Sequence, residues 1–350
     1  MQLDLSIVIP ARDSAATIAR AVGGALRLSA DVVVVDTGSS DDTAALAADA
    51  GARVVSLAPE AFSFAAARNA GAEAARGAWL LHLDSDETLA PGYLPAIQRA
   101  IAARDFDVHD LPQGNLRADG TRSLVTQRRL YRNGAGLHWV GLTYEWVYPL
   151  VPAGTLDVII DNDNHAGQIS DQARAQRTDL MTTEVLALLH ADLAAQVDLG
   201  QFISRCRHLS LHGRALFDTT GLAQRAGEAF QRFCQQGETS DQPRLELARL
   251  HELRGDPARA LVLYTGLPPA AASPTYLAHQ AACIFAVTRD VEAALAAIDA
   301  ALARCPCAVF LLTRGSILGV TGRHKEAAAA VVEALRHLPA LRHYTLGPPG

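Results

Sequence analysis

The stretch LSIVIPARDSAATIARAVGGALRLSADVVVVD, residues 5–36, decides the fold. It begins with a short apolar segment, LSIVIP, that is typical of a buried strand. The residues from Ser14 onward predict a helix with that serine as its N-cap. DVVVVD, residues 31–36, is apolar at every inner position, as in a parallel strand that is covered on both faces. A strand, a helix and a second strand in this order predict a βαβ unit.

The same alternation continues over the next fifty residues or so. TAALAADA predicts a helix, and ARVVSL predicts a third strand. FAAARNAGAEAARG predicts another helix, and AWLLHLD, residues 78–84, another strand. The pattern therefore predicts an α/β fold with a doubly wound, Rossmann-like sheet. Ligands of such sheets bind at the carboxyl ends of the strands, where Asp36, Asp84 and Asp86 are expected.

Three carboxylates, Asp84, Asp86 and Glu87, stand within four positions at the end of AWLLHLD. Residues i and i+2 of a strand project to one face about 6.5 Å apart, so Asp84 and Asp86 are expected to converge on one cation. Mg²⁺ or Mn²⁺ suits carboxylate ligands, and Mg²⁺ commonly takes one or two of them together with substrate phosphates. The sequence therefore predicts a metal–phosphate site. The alternative is that Asp86 and Glu87 cap the helix after Pro91.

Asp36 ends the second strand and opens the segment DTGSSDDT. Ser39, Ser40 and Asp41 are good N-caps for the next helix, but capping leaves the acid at the strand end unexplained. A carboxylate at that place suits a nucleoside, because it accepts hydrogen bonds from ribose hydroxyls or from a base N–H.

Arginines are the candidate phosphate ligands. Arg68, beside Asn69, lies in a helix of small residues, where a long cation can lean over a diphosphate. The alternative for these two residues is a plain exposed helix surface. The segment TQRRLYRN is expected to place Arg128 and Arg132 at strand ends, near phosphate.

Aromatic residues are concentrated in LHWVGLTYEWVYP, residues 137–149. In an extended chain, Trp139 and Glu145 share one face with Gly141 and Thr143. An aromatic ring beside a carboxylate suits a sugar and a catalytic base. The alternative is an aromatic core strand that carries a surface glutamate.

The segment DNDNHAG, residues 161–167, is not a calcium loop of the EF-hand type. Counted from Asp161, the sixth position is Ala166 instead of glycine, and the twelfth is Gln172 instead of glutamate.

The second half of the chain has a different pattern. From about residue 115 to 165 it is aromatic and strand-like, and after residue 170 it is helical. RGDPARAL, TRDVEAAL and TGRHKEAA begin at residues 254, 288 and 321, a period of about 34 residues that is typical of tetratricopeptide repeats. A plain helical bundle is the alternative. We predict a catalytic domain over 1–168, a helical connector over 169–240 and helical repeats over 241–350.

The composition is that of a soluble globular protein. The 350 residues are 49% hydrophobic with a formal net charge of −6, which argues against a nucleic-acid partner. No window has 18 consecutive apolar residues, so no membrane span is expected. The start of the chain has an acid at Asp4 and no basic region, unlike a signal peptide. The 5 scattered cysteines suit a reducing cytoplasm, and the Cys305–Pro306–Cys307 pair is expected to be structural or incidental.

SIVIPARDSAATI, VVVVDTGSSDDT and FAAARNAGAEAARGAWLLHLDSDE together resemble the family 2 glycosyltransferases of the GT-A fold, over roughly residues 4 to 170. The resemblance implies a nucleotide-sugar donor, UDP-linked, and a divalent cation, Mg²⁺ or Mn²⁺. It implies the following donor-site residues: Pro10 and Ala11 along the base, Asp36 at base or ribose, Arg68 at the diphosphate, and Asp84 and Asp86 at ribose and metal. Where many relatives carry Asn-Glu, this chain has Asp13-Ser14.

The same resemblance implies inverting transfer with Glu145 as the general base. Family members often have Gly-x-x-His-Glu at this point, and here Tyr144 stands in place of the histidine. His165, in a His-x-Gly segment, resembles the late metal- or phosphate-binding histidine of the family.

A compact GT-A domain followed by helical repeats resembles the sublancin-type peptide S- and O-glycosyltransferases, which modify Cys or Ser of bacteriocin precursors. That resemblance implies a peptide acceptor, and the repeats are expected to grip the acceptor or to form a homodimer. The alternatives are a sugar transferase for cell-surface polysaccharide with a glycan acceptor, and a non-catalytic nucleotide-sugar-binding scaffold. A sugar nucleotidyltransferase is less favoured, because a Gly-rich, Lys-bearing phosphate loop is missing near the N-terminus.

Overall fold

The chain forms two compact units. The computed structural model describes residues 4–58, 63–116, 122–141, 145–149, 151–162, 221–235, 242–266 and 273–343, with the single residues 182, 185, 189, 202, 205, 206 and 209. The first unit comprises Met1–Val140, Trp146–Ala166 and Leu335–Gly347, and the second comprises Gly141–Glu145, Gly167–Ala334 and Pro348–Gly350. This division differs from the predicted boundaries, because residues 335–347 group with the sheet and residues 141–145 with the helices.

The strands of the first unit are short and mostly buried. They are β1 Leu5–Ala11, β2 Asp31–Asp36, β3 Arg53–Ser56, β4 Trp79–His82, β5 Glu87–Leu89, β6 Val108–Leu116, β7 Arg122–Arg132, β8 His138–Val140, β9 Trp146–Tyr148, β10 Gly154–Thr155 and β11 Ile160–Asn162. The strand-like region therefore begins at Val108, earlier than predicted, because Pro112 and Gly114 interrupt the apolar pattern of β6.

The main sheet is mixed. Its order is β3-β2-β1-β4-β7-β6-β11-β5, with β10 beside β6, while β8 and β9 form a separate antiparallel pair. β3, β2, β1 and β4 are parallel, as the Rossmann-like prediction requires, and β7 is antiparallel to both β4 and β6. The predicted fold class is confirmed. The parallel strands bring their carboxyl ends to one edge, which is where the acidic residues lie.

Helices cover both faces of the parallel strands. They are α1 Ile18–Leu26, α2 Thr43–Asp49, α3 Phe64–Ala74 and α4 Leu94–Ala103. Ile7 and Ile9 of β1 share a core cluster with Val22 of α1, whereas Val8, between them, packs with Ala67 of α3. A Cβ atom at Gly71 would lie 2.2 Å from a methyl group of Val8, so glycine allows α3 to approach β1 closely.

The predicted serine cap of α1 is wrong. α1 begins at Ile18 with Thr17 at its N-cap, and Ser14 instead accepts the amides of Thr17 and Ile18 with its carbonyl oxygen in the preceding turn. Asp42 is the N-cap residue of α2, without a side-chain hydrogen bond, whereas Asp41, one of the predicted caps, accepts the amide of Thr43, the first residue of α2, at 3.0 Å. The side chain of Asp41 also accepts the amide of Ala15 and so links the two loops.

Regularly spaced helix junctions characterise the second unit. Its described helices are α5 Leu222–Gln235, α6 Gln242–Leu253, α7 Pro257–Thr265, α8 Pro274–Thr288, α9 Val291–Arg304, α10 Ala308–Val320 and α11 His324–His337, the last of which extends into the first unit. RGDPARAL, TRDVEAAL and TGRHKEAA each span a junction between two helices. Asp256 and Asp290 N-cap the helices that follow, accepting the amides of Arg259 at 3.1 Å and Ala293 at 3.0 Å. The repeated motif thus marks the turn between two consecutive helices, and its tetratricopeptide character stays a prediction.

Among the cysteines that the structure describes, Cys206, Cys283, Cys305 and Cys307 form no disulfide. None of the described helices has the length and apolarity that crossing a bilayer requires.

Candidate functional site

The acidic segment after β4 is a turn. β4 ends at His82, and the amide of Glu87 donates to the carbonyl oxygen of Asp84 at 3.0 Å. Asp84 and Asp86 therefore do not project from one face of a strand, and that prediction is wrong. We refer to residues 84–87 as the acidic turn.

Two arginines hold the first carboxylate of this turn. Arg68 donates to Asp84 Oδ1 at 2.6 Å, and Arg129 donates to Oδ1 at 3.2 Å and to Oδ2 at 3.0 Å. Burial alone would raise the pKa of Asp84, but the guanidinium groups of Arg129 and Arg68 hold it well below its usual range. Asp84 is thus an ionised carboxylate with arginine donors at both oxygens.

The side chain of Arg68 is buried. Its side chain is 2% exposed, and its guanidinium carbon lies 4.8 Å from the centre of the Trp139 ring. The alternative of a plain exposed helix residue is therefore wrong, and the diphosphate contact stays a prediction. In this arrangement Arg68 joins α3 to Asp84.

Glu87 is the fully buried acid of the turn. It accepts the amide of Asp84 at 2.7 Å, an Nη2–H of Arg129 at 3.1 Å, and the side-chain amide of Gln113. Burial raises the pKa of Glu87 and the nearby Asp84 charge adds to this, while Arg129 opposes it. The helix-capping alternative is wrong, because Glu87 lies in β5 and α4 has no side-chain cap.

Asp86 is the one acid of the turn whose carboxylate has no partner side chain within hydrogen-bond distance among the described residues. Burial and the negative charge of Asp84 raise its pKa. The backbone of the turn is held elsewhere: Arg20 donates to the carbonyl oxygen of Asp86 at 2.9 Å, and the hydroxyls of Ser14 and Ser85 lie 2.8 Å apart.

A divalent cation fits Asp86 better than it fits Asp84. No group of three His, Cys, Asp or Glu residues in the described part of the chain is arranged to hold a metal. Mg²⁺ and similar divalent cations need only one or two carboxylates when phosphate oxygens and waters complete the coordination shell. Asp86 can supply such a carboxylate, whereas both Asp84 oxygens already accept arginine hydrogen bonds. His165, the third predicted ligand, lies outside the described residues.

Asp36 carries an unsatisfied acceptor at the same edge of the sheet. Its Oδ2 accepts the amides of Gly38 and Ser39, each at 3.3 Å. Its Oδ1 is buried and has no hydrogen-bond partner among the described residues. Since a buried acceptor left unpaired costs about 1–3 kcal/mol, this atom fits a ligand that brings its own donor.

The predicted base-binding residues lie beside Asp36. In the parallel register of β1 and β2, Ala11 is opposite Asp36 and Pro10 is opposite Val35. The two loops that follow these strands are joined by side chains: Asp13 accepts from the amide of Ser40 at 2.8 Å. The structure therefore brings Pro10, Ala11 and Asp36 together, and their contact with a base stays a prediction.

Trp139, which is predicted to lie against a sugar, belongs to a buried aromatic cluster. Trp139 is 4% exposed, and its indole N–H donates to His82 at 3.3 Å. The amide of Trp139 donates to Asn69 at 2.8 Å, and Asn69 donates back to its carbonyl oxygen at 2.9 Å. His82 stacks on Tyr131, with ring centres 5.3 Å apart, and burial lowers its pKa well below the usual value. The aromatic-core alternative describes Trp139 correctly.

The extended segment predicted over residues 137–149 is instead a pair of strands. β8 pairs with β9, with Trp139 opposite Val147. Glu145 is half-buried, directly before β9, among the residues that group with the second unit. Its role as a base stays a prediction.

Arg128 is inside β7 and not at its end, contrary to the prediction. It forms an ion pair with Asp110 at 3.3 Å and is 13% exposed. Neighbouring strand residues face opposite sides, so Arg129 is the one directed to the acidic turn. Sequence reasoning missed Arg129 and Gln113, and it named Glu87 without its role in holding the turn. The available signal was two adjacent arginines in a buried strand, each of which requires its own carboxylate.

The sheet region is similar to a known protein family. Residues 6–133 match the model of Glycosyl transferase family 2. This match contains β1 to β7, and with them Asp36, Arg68 and the acidic turn.

Curated relatives match only part of the chain. Succinoglycan biosynthesis protein ExoO of Rhizobium meliloti (strain 1021) is 41% identical over 127 residues, which cover 33% of this chain and 36% of that protein. A TPR repeat-containing protein of Synechococcus elongatus is 39% identical over 88 residues, covering 25% of this chain and 21% of that protein. The chain thus spans about a third or less of the length of these relatives.

Solved structures overlap with a similar share of the chain. Glucosyl-3-phosphoglycerate synthase from Mycobacterium tuberculosis in complex with Mn²⁺, UDP and glucosyl-3-phosphoglycerate is 27% identical, with a TM-score of 0.28, and the match covers 31% of this chain and 43% of that one. The same enzyme with Mg²⁺ and UDP is 26% identical, with a TM-score of 0.28 over the same shares.

Proposed function

We propose that the protein is a glycosyltransferase that takes a sugar from a UDP-linked donor and transfers it with inversion to an acceptor. The observation that carries this proposal is the unpartnered Oδ1 of Asp36 at the carboxyl edge of a family 2 domain. The N3–H of uracil or a ribose hydroxyl supplies the donor that this buried oxygen lacks. Inversion rests on the family resemblance.

The cation of this reaction would be Mg²⁺ or Mn²⁺, held by Asp86 and His165. When bound, such an ion stabilises the negative charge of the leaving nucleotide. Asp84 contributes differently in this arrangement, because it is the carboxylate to which Arg68 and Arg129 donate. These arginines keep it ionised at neutral pH and balance its negative charge.

Glu145 is the proposed general base, which takes the proton from the acceptor as the acceptor attacks the anomeric carbon. Its variant Glu145→Gln keeps the shape of the side chain and removes the base. We expect the transfer rate to fall about 10²- to 10⁴-fold with the affinity for UDP nearly unchanged.

Transfer from UDP-sugars, followed by mass spectrometry of the acceptor, checks this expectation. Glu292→Gln, an exposed glutamate of α9 whose side chain is 82% accessible, is the matched control and should keep the wild-type rate. A Glu145→Gln protein that transfers at the wild-type rate would exclude this base. Binding of UDP without any turnover by the wild type would indicate a non-catalytic scaffold.

The acceptor separates two candidates. The ExoO relative is a succinoglycan biosynthesis protein, and this similarity favours a glycan acceptor and a role in cell-surface polysaccharide. The architecture of a compact domain with helical repeats favours a peptide Cys or Ser. Offering glycan and peptide acceptors side by side in the same assay distinguishes them.

A further inference from the structure

Arg129 is a fully buried cation with a role that the sequence motifs of the domain do not explain. Its side chain is 2% exposed. Its Nε–H donates to Gln127 at 3.0 Å, Nη1 to Asp84 at 3.2 Å, and Nη2 to Asp84 at 3.0 Å and to Glu87 at 3.1 Å. One guanidinium group therefore bridges the first and last residues of the acidic turn.

The turn is closed by its own backbone as well. Glu87 accepts the amide of Asp84 at 2.7 Å, while the amide of Glu87 donates to the carbonyl oxygen of Asp84 at 3.0 Å. Gln113 of β6 donates to the Glu87 carboxylate and itself accepts from Gln127 at 2.7 Å. The side chains of β6 and β7 thus form a hydrogen-bonded network that supports the turn.

Only a planar fork of donors suits this arrangement. Arginine can hold two carboxylates in fixed directions, whereas lysine offers a compact charge on a flexible stem. Without the guanidinium group of Arg129, Glu87 would be buried with less positive charge nearby, and burial without a charge partner destabilises an ionised carboxylate. The contacts of Arg129 therefore stabilise one conformation of the turn, which contains Asp86.

We propose that Arg129 is a positioning residue of the donor site: it fixes the acidic turn, and through the turn the backbone that presents Asp86. This inference rests on the proposed function for its ligand, UDP with Mn²⁺. Arg129 itself contacts neither in this scheme.

The test must separate positioning from mere support of the fold. Arg129→Met removes the cation, and Glu87→Gln in the same chain removes the buried charge that the cation balances while keeping an acceptor for the Asp84 amide. Arg129→Lys keeps the charge without the fork. Arg53→Met is the control, because Arg53 forms an ion pair with Asp31 at 2.8 Å at the start of β2, away from the carboxyl ends of the strands.

Calorimetric titration of UDP in Mn²⁺ and hydrogen exchange of the Asp84 and Glu87 amides are the two measurements. In the double variant we expect a fold that circular dichroism cannot distinguish from wild type, UDP affinity at least tenfold weaker, and at least tenfold faster exchange of the two amides. Arg129→Lys should show the same losses, and Arg53→Met should show none.

A double variant and an Arg129→Lys variant with wild-type affinity and wild-type exchange would overturn the proposal. If the wild type bound no UDP in Mn²⁺, the proposed function would fail on its own. The exchange comparison would then still decide whether Arg129 fixes the turn, since that readout needs no ligand.

Discussion

Asp36 shows how one atom can indicate a ligand. Its position at a strand end follows from the sequence, because DVVVVD ends a parallel strand and parallel strands share an edge. What the sequence could not show is that its two oxygens differ. Oδ2 accepts two backbone amides, while Oδ1 is buried without a partner in the described part of the chain.

Replacing Asp36 by Asn tests the use of this oxygen. The side-chain oxygen of asparagine should take over the amides of Gly38 and Ser39, which places an NH₂ donor where the ligand now meets an acceptor. UDP affinity should fall at least tenfold, whereas CDP, whose cytosine N3 accepts a hydrogen bond, should lose less.

Titration calorimetry with both nucleotides measures this difference. Asp49→Asn, at an exposed position of α2, is the control and should leave both affinities unchanged. Equal affinities of the Asp36→Asn protein and the wild type for UDP would show that Oδ1 does not face the base.

At the scale of elements, apolar runs predicted the strands and helices well, and local polar geometry poorly. β1, β2 and α3 follow from their periodicity. The acidic turn was mistaken for a continuation of β4 because its shape depends on Arg129 and Gln113, residues 45 and 26 positions from their partners. β8 and β9 were mistaken for one strand because aromatic content alone does not mark a chain reversal.

β6 contains a buried titratable group that no sequence motif indicates. His109 is 4% exposed, and neither ring nitrogen has a hydrogen-bond partner among the described residues. Burial lowers its pKa to about 4. In the unfolded chain its pKa is about 6.5, so the unfolded state binds a proton first as the pH falls.

This difference predicts a loss of stability in mild acid. The contribution of His109 is fully present above pH 6.5 and is lost as the pH falls toward 4, by about 2 kcal/mol at pH 5. Urea unfolding at pH 7.5 and pH 5 measures it. In His109→Phe, whose ring suits the neighbouring Trp79 and Phe106, the difference between the two pH values should shrink by that amount. His324→Phe, at an exposed position, should not change it, and an unchanged difference in His109→Phe would contradict the assignment.

At the scale of the whole molecule, the division of the chain into two units can be predicted only in part from the sequence. The change from α/β alternation to helical repeats is visible in the residues, and the structure confirms a sheet unit and a helical unit. The assignment of residues 335–343 to the first unit is not visible in the sequence, which places Leu338 and Leu341 in the predicted repeat region, although both are buried in the structure. The sequence also could not assign residues 141–145, with Glu145, to the second unit.

In the proposed donor site, the edge of the sheet binds a metal–nucleotide complex through Asp86. The most direct test is calorimetric titration of UDP into the full chain, in Mn²⁺ and again in EDTA, for the wild type, Asp86→Asn and the control Asp107→Asn, an exposed partner of Arg132. We predict UDP binding that weakens at least tenfold in EDTA for the wild type and the control, and weak binding under both conditions for Asp86→Asn. Equal UDP affinity in Mn²⁺ and EDTA, or wild-type behaviour of Asp86→Asn, would contradict the account.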